Sequence, residues 1–393
     1  MNCSKLIRTC ALPALAALIA LPCLAANQDS IEVQNAREGV VKARGAKAHY
    51  TKKWDLSDLP KYVPEQKVSG TIRMWGANYL TDSPLAEWWA AEFRKFQPDV
   101  QFDFHMKTTL HAIPSLIMGV ADIGMMGRQI LWQEQLSYQR EFGRLPLGIV
   151  GLTGSYNVGG WNPPIGVYLN KENPISKLSL EQLDGIFGAE RSGAWRDLVW
   201  DTSLARGPEK NIRKWGDLGL TGEWADKPIH VHGYNLQFNF AQEIESRAFG
   251  GVSKKWTEKL VEYDNQAMPD GSLKAAGLIA MEAVAKDKYA VAYNAGGQGW
   301  LTQLPQVKAV ALSVKNGGPA YELTMDNVRE RTYPMYADVF FWINRDPGKP
   351  VDPKVREFMR FVLSRDGQAL VMKDGKYLPL IAKVVAEERR KLD

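Results

Sequence analysis

An alternation of strand and helix signals constrains this chain more than any other feature. From Gly70 to the C-terminus, short apolar runs suited to strands trade places with segments of helical spacing. Residues 70 to 96, GTIRMWGANYLTDSPLAEWWAAEFRKF, show one such unit. TIRMW reads as a strand, Gly76 to Ser83 as a loop, and Leu85 onward as a helix. Asp82 or Ser83 is placed to cap that helix, with Pro84 suited to its first turn. VQFDFHM follows as a strand, then a helix around Ala112 to Met118, ADIGMM as a buried strand, and a helix from about Ile130 to Phe142. This order implies an α/β protein with a parallel sheet covered on both faces, whose ligands sit beyond the carboxyl ends of the strands. At 393 residues the chain is too long for one ordinary core, so two domains are expected.

The second half repeats the alternation with one interruption. PPIGVYLNKENP enters a new strand, and SLEQLDGIFG is a helix whose Ser179 and Gln182 form a capping-box pattern. ERSGAWRDLVWDTSLARGPEKNIRKW reads as an irregular excursion, its tryptophans taken as packing at a distance from any ligand loop. KPIHVHGYN, YAVAYNA and VKAVALSV are strands, FAQEIESRAF and LIAMEAVAKD are helices, TYPMYADVFFWIN is a long strand, and EFMRFVLSRDGQALVMKDG is a closing helical pair.

The N-terminus predicts export. Lys5 and Arg8 precede an apolar run from Ala11 to Leu21, and small residues at Cys23 and Ala25 place cleavage near Ala25 or Ala26. Residues 1–26 are therefore read as a signal peptide, cleaved rather than lipidated at Cys23, because the leucine usual three residues ahead is absent. All 3 cysteines (Cys3, Cys10, Cys23) fall in this segment, which excludes a disulfide, a thiol nucleophile or Cys-ligated zinc from the mature protein. A cysteine-free exported protein of this size fits the bacterial periplasm. Residues 27–68 are polar and aperiodic and read as an extended or weakly helical arm, solvated ahead of the first domain. The formal charge of +5 is close to balance and gives no reason to expect nucleic acid or a lipid surface as partner.

Several segments together resemble the phosphate-binding proteins of bacterial ABC importers, within the periplasmic substrate-binding superfamily. They are GVADIGMMGR, NPISKLSLEQLDGIFGAE, WGDLG, KPIHVHG, YAVAYNAGG, TYPMYADVFFWINR and FMRFVLSRDGQALVMKDGKYLPL, in order from about Ser69 to Leu380. The resemblance implies a two-lobed type II fold with a two-strand hinge. Residues 69–162 plus 335–393 would form lobe I and 163–334 lobe II, with crossings near Trp161 to Ile165 and Tyr333 to Asp338. It also implies closure on a small anion, phosphate by default, a membrane permease as partner, a monomeric state, and no cofactor.

The family's anion pocket maps onto three places. The loop after the first strand offers Gly76, Ala77, Asn78 and Thr81, and the turn after ADIGMM offers Arg128; outside the family's places, Thr108 and Thr109 beyond the second strand join this chain's candidate set. In the second lobe HVHGYNLQFNF supplies His232, Asn235 and Gln237, where the family has Arg and Ser-Gly-Thr. A guanidinium that binds an oxyanion through two parallel N–H bonds, with amides opposite, is the arrangement expected. Because the Ser-Gly-Thr donors are missing, a bulkier or less charged ligand remains open beside phosphate, as does a ligand-sensing or scaffold protein of this fold without high-affinity phosphate binding.

Enzymatic readings have little to stand on. No HExxH, GxSxG, P-loop or paired CxxC is present, and GGQGW lacks the context of a dinucleotide fingerprint. His230 and His232 share one strand face but have no third ligand at metal-binding spacing, so no metal site and no catalytic residue are assigned. A phosphoester hydrolase with His232 as base is the remaining enzymatic alternative.

Overall fold

A computed structural model of the protein describes residues 30–44, 49–157 and 161–393. The signal peptide expected over residues 1–26, with Cys3, Cys10 and Cys23, lies outside the described residues. After helix α1 (Ile31–Arg44), the first unit runs β1 (Gly70–Gly76), α2 (Leu85–Arg94), β2 (Val100–Met106), α3 (Ala112–Ile117), β3 (Ile123–Met126), α4 (Trp132–Phe142) and β4 (Leu147–Thr153). The second unit runs β5 (Ile165–Asn170), α5 (Leu180–Phe187), β6 (His230–Tyr234), α6 (Asn239–Ala248), β7 (Leu260–Tyr263), α7 (Ala276–Lys286), β8 (Ala290–Ala295), β9 (Val307–Ala309) and α8 (Met325–Arg329). The chain then adds β10 (Asp338–Ile343), α9 (Pro353–Val362), α10 (Arg365–Asp374) and α11 (Ala382–Arg390) to the first unit.

The strands form two five-stranded sheets, in the orders β2-β1-β3-β10-β4 and β7-β6-β8-β5-β9. The alternation predicts parallel sheets, and four strands of each sheet do run parallel. The fifth does not: β10 is antiparallel to both β3 and β4, and β5 is antiparallel to both β8 and β9. The chain path explains both exceptions. β4 ends at Thr153 on the edge where β1 to β3 also end, and the chain enters the second sheet from its corresponding edge at Ile165. The return through residues 333–337 delivers Asp338 opposite Thr153, so β10 also starts at that edge and runs back. The crossings are tied to each other by Gly154 N–H donating to Ala337 O (2.8 Å) and Ile165 N–H to Met335 O (3.1 Å). The long strand expected from Thr332 onward therefore pairs in the sheet only from Asp338, its first part being the crossing itself.

Each lobe has its own core. In the first, Trp89 and Phe93 of α2 pack on Phe341 of β10 and on Phe358 and Phe361 of α9. In the second, Phe187, Tyr234, Trp256 and Tyr293 meet edge-on or tilted around the middle strands. Gly76 closes β1 at φ +140°, and a Cβ there would fall 2.0 Å from Met125 O, so this strand end passes its neighbour as closely as only glycine permits.

Residues 50–62 form a strap across the molecule, in contrast to the solvated arm expected. Leu56, Leu59 and Tyr62 are buried in the lobe I core, where the Tyr62 hydroxyl donates to Glu357 (2.7 Å). Tyr50 and Trp54 pack against both cores. The Tyr50 hydroxyl accepts from Tyr156 N–H (2.7 Å) and Asn157 N–H (2.9 Å) at the outgoing crossing, and Lys52 pairs with Asp326 of α8. Apolar residues of an extended strap follow the surface they cover rather than a fixed period, which hides them from a periodicity reading.

Candidate functional site

The carboxyl ends of β1, β2 and β3 bring Gly76, Ala77, Asn78, Thr108, Thr109 and Arg128 to one edge of the first sheet. Most of their polar groups are already engaged. Ala77 N–H donates to Met125 O (3.0 Å), and the Asn78 amide donates to Asp82 (2.8 Å). Asp82 thus serves the loop instead of capping α2, and Pro84 occupies the N-cap position. Thr81 is exposed and turns its hydroxyl to Asn78 O (3.0 Å), whereas Thr108 caps the short turn after β2 by accepting from Leu110 N–H.

Arg128 is buried and holds the bidentate geometry expected of it, but with a partner from its own lobe. Nη1 and Nη2 each donate to one oxygen of Glu134, both at 2.7 Å, and Leu131 N–H donates to Glu134 Oε2 at 2.8 Å. Glu134 is the third residue of α4, so its carboxylate also lies at the positive end of that helix.

The second lobe approaches through the first turn of α6 rather than through the preceding loop. Gln242 accepts from Trp132 N–H (2.9 Å) and donates to Ile130 O (3.0 Å), which ties the start of α4 to α6. Beside it Glu243 is buried among Arg128, Arg247 and Asp338; burial pushes its carboxyl up to about 7, with the two guanidiniums offsetting part of the effect. Asp338 pairs with Arg331 (2.7 Å), and Asn162 donates to Asp338 O (2.7 Å). Three guanidiniums thus stand among three carboxyl groups where the lobes meet.

His232, Asn235 and Gln237 are placed apart from this cluster. His232 is paired with the Tyr263 hydroxyl (2.9 Å), and burial lowers the pKa of its imidazole, favouring the neutral ring. Asn235 donates to Asp264 (3.2 Å), and Gln237 is exposed with its N–H on Asn235 Oδ1 (3.0 Å). No hydrogen bond or ion pair among the described residues joins any of the three to Arg128. His230 pairs with Asp287. Among the described residues no group of three or more His, Cys, Asp or Glu could hold a metal ion.

A groove of about 140 Å³ opens beside the cluster, with Gln129, Trp132 and Gln135 on one lobe facing Trp195, Gln242 and Ser246 on the other. Trp195 comes from the irregular excursion and packs on Trp132 at 5.5 Å between ring centroids. The excursion therefore touches the helix that follows Arg128, closer to the site than its place in the sequence implied. Glu134 escaped the sequence reading because an acidic residue in a first helical turn is an ordinary helix-start feature, and Gln242 and Glu243 because polar residues within a helix give no sign of facing the other lobe. The spacing of Glu134, six residues after Arg128, is the one local signal.

Residues 63–366, well over half of the 393, match the model of a family described as PBP superfamily domain. The chain is 29% identical over 334 residues to the phosphate-binding protein PstS from two strains of Pseudomonas aeruginosa, covering 85% of this chain and 90% of the relative. Among solved structures, a possible phosphate binding protein from Planctomyces limnophilus aligns with a TM-score of 0.43 at 19% identity, covering 83% of this chain and 98% of that one. An ABC-type phosphate transport receptor from Vibrio cholerae aligns with a TM-score of 0.46 at 17% identity, covering 78% and 99%. With its two α/β units, its paired crossings and this match, the chain belongs to the PBP superfamily domain family.

Proposed function

We propose that this chain is an exported solute-binding protein that holds phosphate or another small oxyanion between its lobes and presents it to an ABC permease. The observation that carries the reading is the likeness to the Pseudomonas phosphate-binding protein over 85% of this chain and 90% of the relative. A signal peptide over residues 1–26, a periplasmic location and the absence of catalysis belong to the same reading. Lobe I would comprise 69–162 plus 335–393, and lobe II 163–334. The anion would sit where β1 to β3 end, with Arg128 as its main cationic partner and the loop residues Gly76 to Asn78 beside it.

One observation favours a second reading, a ligand-sensing or scaffold protein of the same fold without high-affinity phosphate binding. Arg128 is satisfied by Glu134, and Arg331 beside it is paired with Asp338. Titration calorimetry with phosphate, sulfate and small carboxylates separates the two. Saturable phosphate binding that weakens roughly 10- to 100-fold in Arg128→Ala, the value of a charge-assisted hydrogen-bond pair, supports the first. Silence toward every anion supports the second. Turnover of a phosphoester abolished by His232→Ala would overturn both.

A further inference from the structure

An oxyanion recognised by an arginine beside a helix start uses two kinds of donor, the guanidinium fork and unpaired backbone N–H groups. Here both kinds meet a carboxylate supplied by the chain. Glu134 Oε1 accepts from Arg128 Nη2, and Oε2 accepts from both Arg128 Nη1 and Leu131 N–H, with all three distances between 2.7 and 2.8 Å. The pair is shielded from water: the side chains of Arg128 and Glu134 are 7% and 14% exposed. Gln242 from the facing lobe takes the next N–H of the same helix start, that of Trp132. Glu134 thus occupies the donors that a bound oxyanion would need.

We propose that Glu134 is a built-in competitor for the anion site, and that its displacement from Arg128 sets the affinity and selectivity of the cleft. The proposal rests on the oxyanion reading given above. An incoming anion gains the fork only when the carboxylate releases it, so it must bind the guanidinium more strongly than Glu134 does. The site would therefore discriminate against singly charged or weakly accepting anions, which cannot offset the lost pair, and favour a compact dianion.

The test is calorimetric titration of inorganic phosphate and sulfate into the full mature chain carrying Glu134→Gln. The glutamine keeps an oxygen for Leu131 N–H and removes the charge that binds the fork. Phosphate affinity is expected to rise at least about tenfold, and the gain to vanish in the Glu134→Gln, Arg128→Ala double variant. Binding by Glu134→Gln where the parent chain is silent supports the proposal equally. Unchanged or weaker phosphate binding in a variant that melts like the parent overturns the competitor role while leaving the oxyanion reading intact. If neither the parent nor Glu134→Gln binds any anion, both fall. Thermal melts report folding, and Glu134→Ala repeats the measurement should the glutamine variant unfold.

Discussion

Glu243 shows how a single buried group links the cleft to pH. Its residue is 8% exposed, and burial raises its carboxyl to about 7 against an ordinary value of 4.5, the Arg247 and Arg128 guanidiniums offsetting only part of the shift. Between these two values the folded chain keeps a proton that the unfolded chain has released. The group's contribution to stability is therefore complete below about pH 4.5 and lost as pH rises through about 7, by roughly 3 kcal/mol in all. Glu243→Gln removes the titration while keeping the shape. Its melting temperature should gain on the parent's progressively from pH 5 to 7.5 and level off above; a difference that stays flat would mean that water reaches the carboxylate. At this scale the sequence was half legible. Arg128 stood out as a guanidinium just beyond a strand end, and its two-pronged pairing is with Glu134 of its own lobe, where a ligand was expected. Which oxyanion it takes depends on how α4 turns after Leu131, and composition does not encode that. His232, Asn235 and Gln237 make no bond to Arg128 because a position on or just after a strand does not fix what its side chain meets: His232 and Asn235 pair with Tyr263 and Asp264 at the end of β7, and Gln237 is exposed.

The elements themselves were more legible where their signals are local. The capping box at Ser179 forms as read, with Ser179 Oγ accepting from Gln182 N–H (3.0 Å) and the Gln182 side chain accepting in return (2.9 Å). The strap over residues 50–62 was invisible for the opposite reason, since its value lies in contacts more than a hundred residues away. Two substitutions test it separately. Leu59→Ala empties a fully buried position and should cost about 2–5 kcal/mol in urea unfolding, as deletions of buried leucine side chains do. Tyr50→Phe removes only the hydroxyl that accepts from Tyr156 and Asn157, so its global cost should stay near 1 kcal/mol. Its signature is local: hydrogen exchange at those two amides should accelerate, whereas exchange in the α9 core should not. Equal exchange at Tyr156 and Asn157 in both proteins would show that the strap does not hold the crossing.

At the scale of the molecule, the alternation of strands and helices announced two covered sheets, and only the path between them was missing. The antiparallel strand of each sheet is the one that crosses between lobes, β5 outward and β10 on return, so its direction is a property of the route and of no local period. The same route leaves two covalent crossings, together with the strap, to set how far the lobes can separate. Against that freedom stands Gln242, whose side chain bonds two backbone groups of the facing lobe at once, Trp132 N–H and Ile130 O. Both bonds require the approach seen here, and both are lost together on opening. At about 1 kcal/mol net for each bond, Gln242→Ala should shift the closed-to-open ratio by roughly 5- to 30-fold. In ligand-free solution the radius of gyration from X-ray scattering should rise, and the fluorescence of Trp132, packed on Trp195 across the groove, should change with it. Phe358→Ala provides the contrast, since it weakens the lobe I core away from both the seam and the strap: a variant that loses stability but keeps its radius places the effect of Gln242 at the interface. Should Gln242→Ala scatter like the parent, the bridge would follow closure set by the crossings and the strap.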